Sequence, residues 1–162
     1  MTLPPALSPT AQRVQDALRA QGFAYQVFEL SVPTRTAADA ARAVNCEIGQ
    51  IAKSLVFERV PGSMPVLVMA SGANRVAEAR LAKELAVASV RKPDAEYVRR
   101  FTGFAIGGVP PLGHDTLIDT LIDEDLLRHR VIWAAAGTPN ALFQMDPADL
   151  ARMTGGRVIS IS

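Results

Sequence analysis

The chain has a single cysteine, Cys46, among its 162 residues. That excludes an internal disulfide and fits a reducing compartment. Cys46 closes an apolar helical pattern with no basic cluster beside it, so it reads as a buried, inert thiol. Histidine is nearly as scarce: His114 and His129 fall in different predicted elements. Two histidines and one cysteine at unrelated spacings make no ligand pattern, so neither metal nor cofactor is expected. There is no run of about 18 apolar residues and no charged-then-apolar leader, which predicts a soluble, cytoplasmic protein. The net charge is only +1, so no global field recruits nucleic acid, and any RNA contact needs a local patch. Gly-x-Ser-x-Gly, Gly-x-Gly-x-x-Gly and the Walker Gly-Lys-Ser/Thr are all missing, so no nucleophile elbow, NAD site or ATP site is indicated. Repeats, low-complexity tracts and linkers are missing too. The expectation is one domain over residues 1–162, with the proline-rich residues 1–9 as a loose lead-in.

Lysine is the next scarcity, with three residues against fourteen arginines. One of them, Lys53, lies in Gln50-Ile51-Ala52-Lys53-Ser54-Leu55-Val56-Phe57, an apolar, β-branched stretch without Gly or Pro that predicts a strand. Strand side chains alternate faces, so Lys53 shares a face with Ile51, Leu55 and Phe57. Burial disfavours the charged form of an unpaired ammonium. Two readings stay open. The stem lies over the core with its head in water, or the lysine stands in a pocket.

Around this strand the pattern predicts about seven strands and five helices. Thr10, Thr36, Asn74 and Asp146 are the expected helix caps, Pro93 the expected start of a helix that continues from Asp94 to Thr102, and Gly22, Gly103 and Gly155 the expected stops. Strands are expected at 25–30, 65–70, 88–91, 116–122, 130–135 and 157–161, with Ala141–Met145 left as a short apolar piece. Strict βαβ alternation is absent. The fold class expected is α/β of the α+β type: a mixed, largely antiparallel, barrel-like sheet with helices packed outside.

Residues 103–114 hold four glycines and two prolines, which rules out a helix and predicts a stiff loop with exposed backbone N–H groups. The loop serves either as a tight crossover or as part of a site. A lysine ammonium together with backbone N–H groups can hold a carbonyl oxygen or a phosphate. A Schiff base is the lesser reading, since no second cation or phosphate cradle accompanies Lys53 in the sequence.

Gln-Ile-Ala-Lys-Ser-Leu-Val-Phe at 50–57, followed by Thr-Gly-Phe-Ala-Ile-Gly-Gly-Val-Pro-Pro-Leu-Gly-His at 102–114, resembles the YbaK/EbsC family. These are free-standing aminoacyl-tRNA deacylases related to the editing domain of bacterial prolyl-tRNA synthetase. The resemblance spans roughly residues 10–160. It implies trans-editing, the hydrolysis of the ester on a mischarged tRNA, typically tRNA-Pro carrying a small wrong amino acid. It also implies Lys53 as the essential lysine and a substrate pocket lined by Gly107, Gly108, Val109, Pro110, Gly113, His114, Ala135 and Gly137. Aminoacyl-tRNA and, through it, prolyl-tRNA synthetase are the implied partners. Pro110 stands where the family usually has serine. Residues 135–140 replace a turn that usually carries serine and arginine. Both departures point to a more apolar amino-acid pocket and a small aliphatic substrate such as alanine. They also motivate an alternative, a non-catalytic module binding the tRNA acceptor end or a synthetase; a small-metabolite binder is a third reading. Arg35, Arg75, Arg99, Arg100 and Arg128 are candidates for RNA contact.

Overall fold

The computed structural model describes residues 6–162. Eight strands of these residues form one mixed sheet, with five α-helices around it. Strand β2 (Ile51–Val60) is its longest member and pairs antiparallel with β3 (Pro65–Ser71), placing Lys53 opposite Ala70 and Leu55 opposite Val68. Every residue of β3 is buried, as its unbroken apolar run predicts for a central strand. On the far side of β3 lie β5 (Asp119–Asp123) and β8 (Arg157–Ile159), joined by parallel pairings. On the near side β2 runs parallel to β6 (Ile132–Ala135), followed by antiparallel β7 (Ala141–Met145) and β1 (Val27–Glu29). The short β4 (Ser89–Arg91) pairs with the far end of β2. The expected mixed α+β class is what is found, with four antiparallel and three parallel pairings and β1 and β8 at the two ends of the order.

Alternation along the two central strands sorts the core. Ala52, Val56, Leu67 and Met69 join the larger cluster, with Ala11, Val14 and Leu18 of helix α1 (Pro9–Ala20). Phe57, Val66, Val68 and Ala70 join a second cluster, with Leu81 of α3 (Glu78–Leu85). Burying a large apolar side chain stabilises by about 1.5–3 kcal/mol. These alternating rows therefore fix the β2–β3 register, because a slip of one residue would send each row of the slipped strand into the cluster packed for the other. A third, small cluster seats Ala40 and Ala41 of α2 (Ala37–Val44) on Ile51 and Leu142.

Several expected details differ. Ser8, not Thr10, caps α1, and Pro9 is its first residue, a position where a missing N–H costs nothing. Leu7 packs on the larger cluster, so residues 7–9 of the expected lead-in are structured; residues 1–5 lie outside the described residues. Asn74 does not cap α3, which starts four residues later at Glu78 without a side-chain cap; its amide is spent on two aspartates. Ala141–Met145 is a strand, although five apolar residues are too few for periodicity to distinguish a strand from a helix. The strand expected at 116–122 begins only at Asp119. Thr36 caps α2 as expected, and Asp146 caps the 3-10 turn that leads into α5 (Leu150–Thr154). Helix α4 (Ala95–Thr102) starts two residues after the expected Pro93, because Asp94 caps it from outside by accepting from the Tyr97 N–H.

Candidate active site

Lys53 stands on the wall of a cleft of about 520 Å³, within the roughly 300–1,000 Å³ that small-ligand sites occupy. Three segments make the cleft. The first half of β2 supplies Ile51 to Leu55. The loop into α2 and its first turn supply Thr34 to Ala38. Ile106, Gly107 and Val109 close it from the glycine-rich loop, with Trp133, Ala135, Thr138 and Leu142 behind. The lining is mostly apolar. Its charged side chains are Lys53 and Arg35, and no histidine, cysteine or carboxylate is among its residues.

Of the two readings of Lys53, the pocket lysine is the one found. Its Nζ donates to the main-chain carbonyl of Asn74 at 2.9 Å, and among the described residues it makes no ion pair. Burial, followed by the nearby Lys92, pushes its pKa below the ordinary lysine value; Asp123 opposes this and Arg75 adds to it. The cleft hydroxyls are engaged in structure. Thr36 Oγ1 accepts from the Asp39 N–H, Thr34 Oγ1 donates to the Pro139 carbonyl, and Thr138 Oγ1 accepts from the Asn140 N–H. Ser54 Oγ points to the sulfur of Met69 at 3.3 Å. No hydroxyl there meets a base, so none is set up as a nucleophile.

Two glycines shape the loop wall. Gly107 has φ +93°, a conformation that side chains resist. Gly108 is packed against the turn after β6: its carbonyl accepts from the Gly137 N–H at 2.8 Å. A Cβ on Gly108 would lie 2.6 Å from the Gly137 carbonyl oxygen. The two loops therefore dock backbone to backbone, and the docking holds Gly107 and Thr138 on the same cleft. Among the described residues the Gly107 N–H makes no hydrogen bond.

The expected site residues divide accordingly. Lys53, Gly107, Val109 and Ala135 line the cleft. Gly108 and Gly137 stand behind it as the docking pair. Pro110, Gly113 and His114 do not reach the cleft, because the chain dives inward after Val109. Pro110, Pro111 and Leu112 are buried, Gly113 sits under Ala17 of α1, and His114 packs edge-on to Phe104 with Nε2 2.6 Å from the Pro110 carbonyl. Pro110 thus contributes no side chain to the cavity wall, and the apolar character expected from it comes instead from Ile106, Val109, Ala135 and Trp133. Burial keeps the His114 pKa below the ordinary value. Arg35, proposed for RNA contact, lines the cleft. Ile106, Trp133 and the rest of the 34–38 segment, apart from the cap Thr36, have no role assigned to them from the sequence. Only Ile106 carries a signal, as a large apolar residue between glycines, and it is 56% exposed at the cleft mouth. Cys46 is half-buried and burial raises its pKa, which suits an unreactive thiol.

Residues 31–153 match the aminoacyl-tRNA editing domain family. A solved structure described as a "putative trans-editing enzyme for prolyl tRNA synthetase" is 46% identical, covers 97% of this chain and 99% of its own, and superposes with a TM-score of 0.89. The solved structure of hypothetical protein APE2540 is 27% identical over 92% of this chain and 98% of its own, with a TM-score of 0.84. The uncharacterized protein YwhH of Bacillus subtilis (strain 168) is 28% identical over 134 residues, 82% of this chain and 83% of its own length. Among the described residues no helix is long and apolar enough to cross a membrane.

Proposed function

This chain belongs to the aminoacyl-tRNA editing domain family, and we propose that its cleft removes a small wrong amino acid from tRNA-Pro with Lys53 as the catalytic group. The protein is an aminoacyl-tRNA deacylase, a hydrolase acting on the ester between amino acid and tRNA. The observation that carries the mechanism is the cleft's inventory: the Lys53 ammonium, the Arg35 guanidinium, an uncommitted backbone amide at Gly107, and no nucleophile–base pair.

An ester needs little more. Its leaving group is an alkoxide of the terminal ribose, better than an amine, so positioning and charge stabilisation suffice without a covalent intermediate. Water, or a nucleophilic group of the substrate itself, attacks the carbonyl carbon. The carbonyl oxygen becomes an oxyanion, and the Lys53 ammonium and the Gly107 N–H are donors that the cleft offers it. The bond to the ribose oxygen then breaks, and that oxygen takes up a proton in balance with the one that the attacking group gives up. When water attacks, free amino acid and an intact tRNA 3′ end result. Removing one such donor typically lowers the rate by about a hundredfold or more.

The prolyl assignment is supported by the relative at 46% identity, whose description names prolyl-tRNA synthetase. Prolyl-tRNA synthetase is the corresponding partner. The small-aliphatic assignment is supported by Ala135, Val109 and Ile106 on the wall. A hydrophobic pocket separates one methylene by only about 1–3 kcal/mol, which is why small residues escape a synthetic site and need a second, hydrolytic one. The test is a deacylation screen with tRNA-Pro charged with alanine, serine, cysteine or small unnatural residues, and with proline as control. Clearance of a small aliphatic residue with Pro-tRNA spared is expected. Clearance of none of them, with activity on another tRNA, would overturn the prolyl assignment.

A further inference from the structure

Lys53 is held by a residue that a buried carboxylate holds in turn. We propose that Asn74 and Asp123 are positioning residues for the deacylation, fixing the Lys53 ammonium on the cleft wall; the proposal rests on Lys53 being the catalytic group.

Asp123 ends β5 and is 1% exposed. Its Oδ2 accepts from the Ser71 N–H and from Asn74 Nδ2, both at 2.9 Å, and its Oδ1 accepts from the Asp125 N–H at 2.9 Å. Asn74 Nδ2 also donates to Asp125 Oδ2 at 2.7 Å, so both of its amide hydrogens are committed. The Asn74 N–H donates to the Ser71 carbonyl at 2.9 Å. With the residue clamped at side chain and amide, its carbonyl oxygen is presented to Lys53 Nζ at 2.9 Å. A flexible four-carbon side chain is thereby given one place to rest.

Asp123 pairs with no cation among the described residues, which is unusual for a buried carboxylate. An asparagine in its place would keep two of the hydrogen bonds, so the charge asks for a separate reason. Three charged groups act on Lys53: Lys92 from the segment after β4, Arg75 from the loop after β3, and Asp123 from β5. Lys92 and Arg75 disfavour the ammonium, as burial does. Asp123 alone favours it, and so preserves the proton that an oxyanion donor must carry.

A purely structural Asp123 would only tie the end of β3, the 72–77 loop and the 124–128 turn together. Two variants separate these roles, read by steady-state kinetics on misacylated tRNA and by NMR of the Lys53 side chain. The chain has three lysines, so the Lys53 signal is the one that Lys53→Ala removes. Asn74→Ala is expected to lower kcat roughly ten- to a hundredfold with KM nearly unchanged, and to speed exchange of the Lys53 ammonium protons with water. Asp123→Asn is expected to move the alkaline limb of the rate profile and the Lys53 titration midpoint together to lower pH. The proposal is overturned if both variants keep the wild-type kcat and Lys53 titration and merely melt at lower temperature. Should Asp123→Asn not fold, the Asn74→Ala result decides. The NMR readings do not depend on catalysis, so full activity in Lys53→Ala would remove the catalytic reading while leaving the link between Asp123, Asn74 and Lys53 separately measured.

Discussion

Substituting Gly108 by alanine tests whether the cleft is closed by backbone docking. The added Cβ would meet the Gly137 carbonyl oxygen at 2.6 Å, its carbonyl carbon at 2.7 Å and Thr138 Cα at 2.8 Å. All three are main-chain atoms, so no side chain can rotate away and the loops must part. Overpacking of this kind costs about 1–3 kcal/mol, and losing the bond from the Gly137 N–H to the Gly108 carbonyl adds about 1 kcal/mol. The expected loss is roughly 2–4 kcal/mol, a fall in Tm of roughly 5–15 °C for a chain of this size. Gly107→Ala is the matched control. There a Cβ has room, its nearest neighbour being Pro139 Cγ at 4.0 Å, and only the positive φ resists, at about 1–2 kcal/mol. Thermal and urea denaturation of the two variants, with deacylation below the melting range, gives the order. Gly108→Ala should be the less stable, and it should lose activity at temperatures where it is still folded, because Gly107 and Thr138 no longer share a cleft. A Gly108→Ala protein melting within 1–2 °C of wild type, or above Gly107→Ala, would refute the docking.

Other consequences follow from the same structure. Thr36→Ala removes the cap of α2, whose first turn forms one cleft wall, and should cost about 1 kcal/mol by urea denaturation and raise KM; an unchanged KM would detach α2 from binding. The deacylation rate, after subtraction of the uncatalysed alkaline hydrolysis, should fall as pH rises through the lowered Lys53 pKa, below the 10.5 of an ordinary lysine. Because the folded state disfavours that ammonium, the Lys53 contribution to folding should become less unfavourable as pH climbs from the folded value toward the unfolded one. His114 has the same sign in another window. Its folded pKa is depressed by burial, so its stabilising contribution is complete above about pH 6.5 and is lost as pH falls from there toward the folded value. Melting temperatures of wild type and His114→Gln between pH 7 and 5 should converge on acidification; parallel curves would contradict it.

What the sequence made legible was local. Strand β2 and the placing of Lys53 among apolar neighbours follow from residue type and a period of two. The cap at Thr36 and the stop at Gly103 follow from single residues with one strong preference. What it concealed depends on distant partners. Asn74 has the chemistry of a cap but is claimed by Asp123 and Asp125, some fifty residues later. Pro110, Gly113 and His114 follow Gly107 closely, yet the chain turns inward after Val109 and takes them away from the cleft. Adjacency in sequence says little about sharing a wall once a loop enters the core. The 34–38 wall was hidden for the complementary reason: nothing local marks a loop and first helical turn as facing a strand that begins at residue 51. Ala141–Met145 became a strand only through its neighbours β1 and β6.

The most direct test is the single-turnover deacylation rate of Lys53→Ala on the misacylated tRNA that the wild-type protein clears, with circular dichroism confirming the fold. The loss of a principal oxyanion donor from a cleft without a nucleophile–base pair predicts a fall of at least about a hundredfold, with tRNA binding retained. A folded Lys53→Ala protein that deacylates at the wild-type rate would contradict the account at its centre.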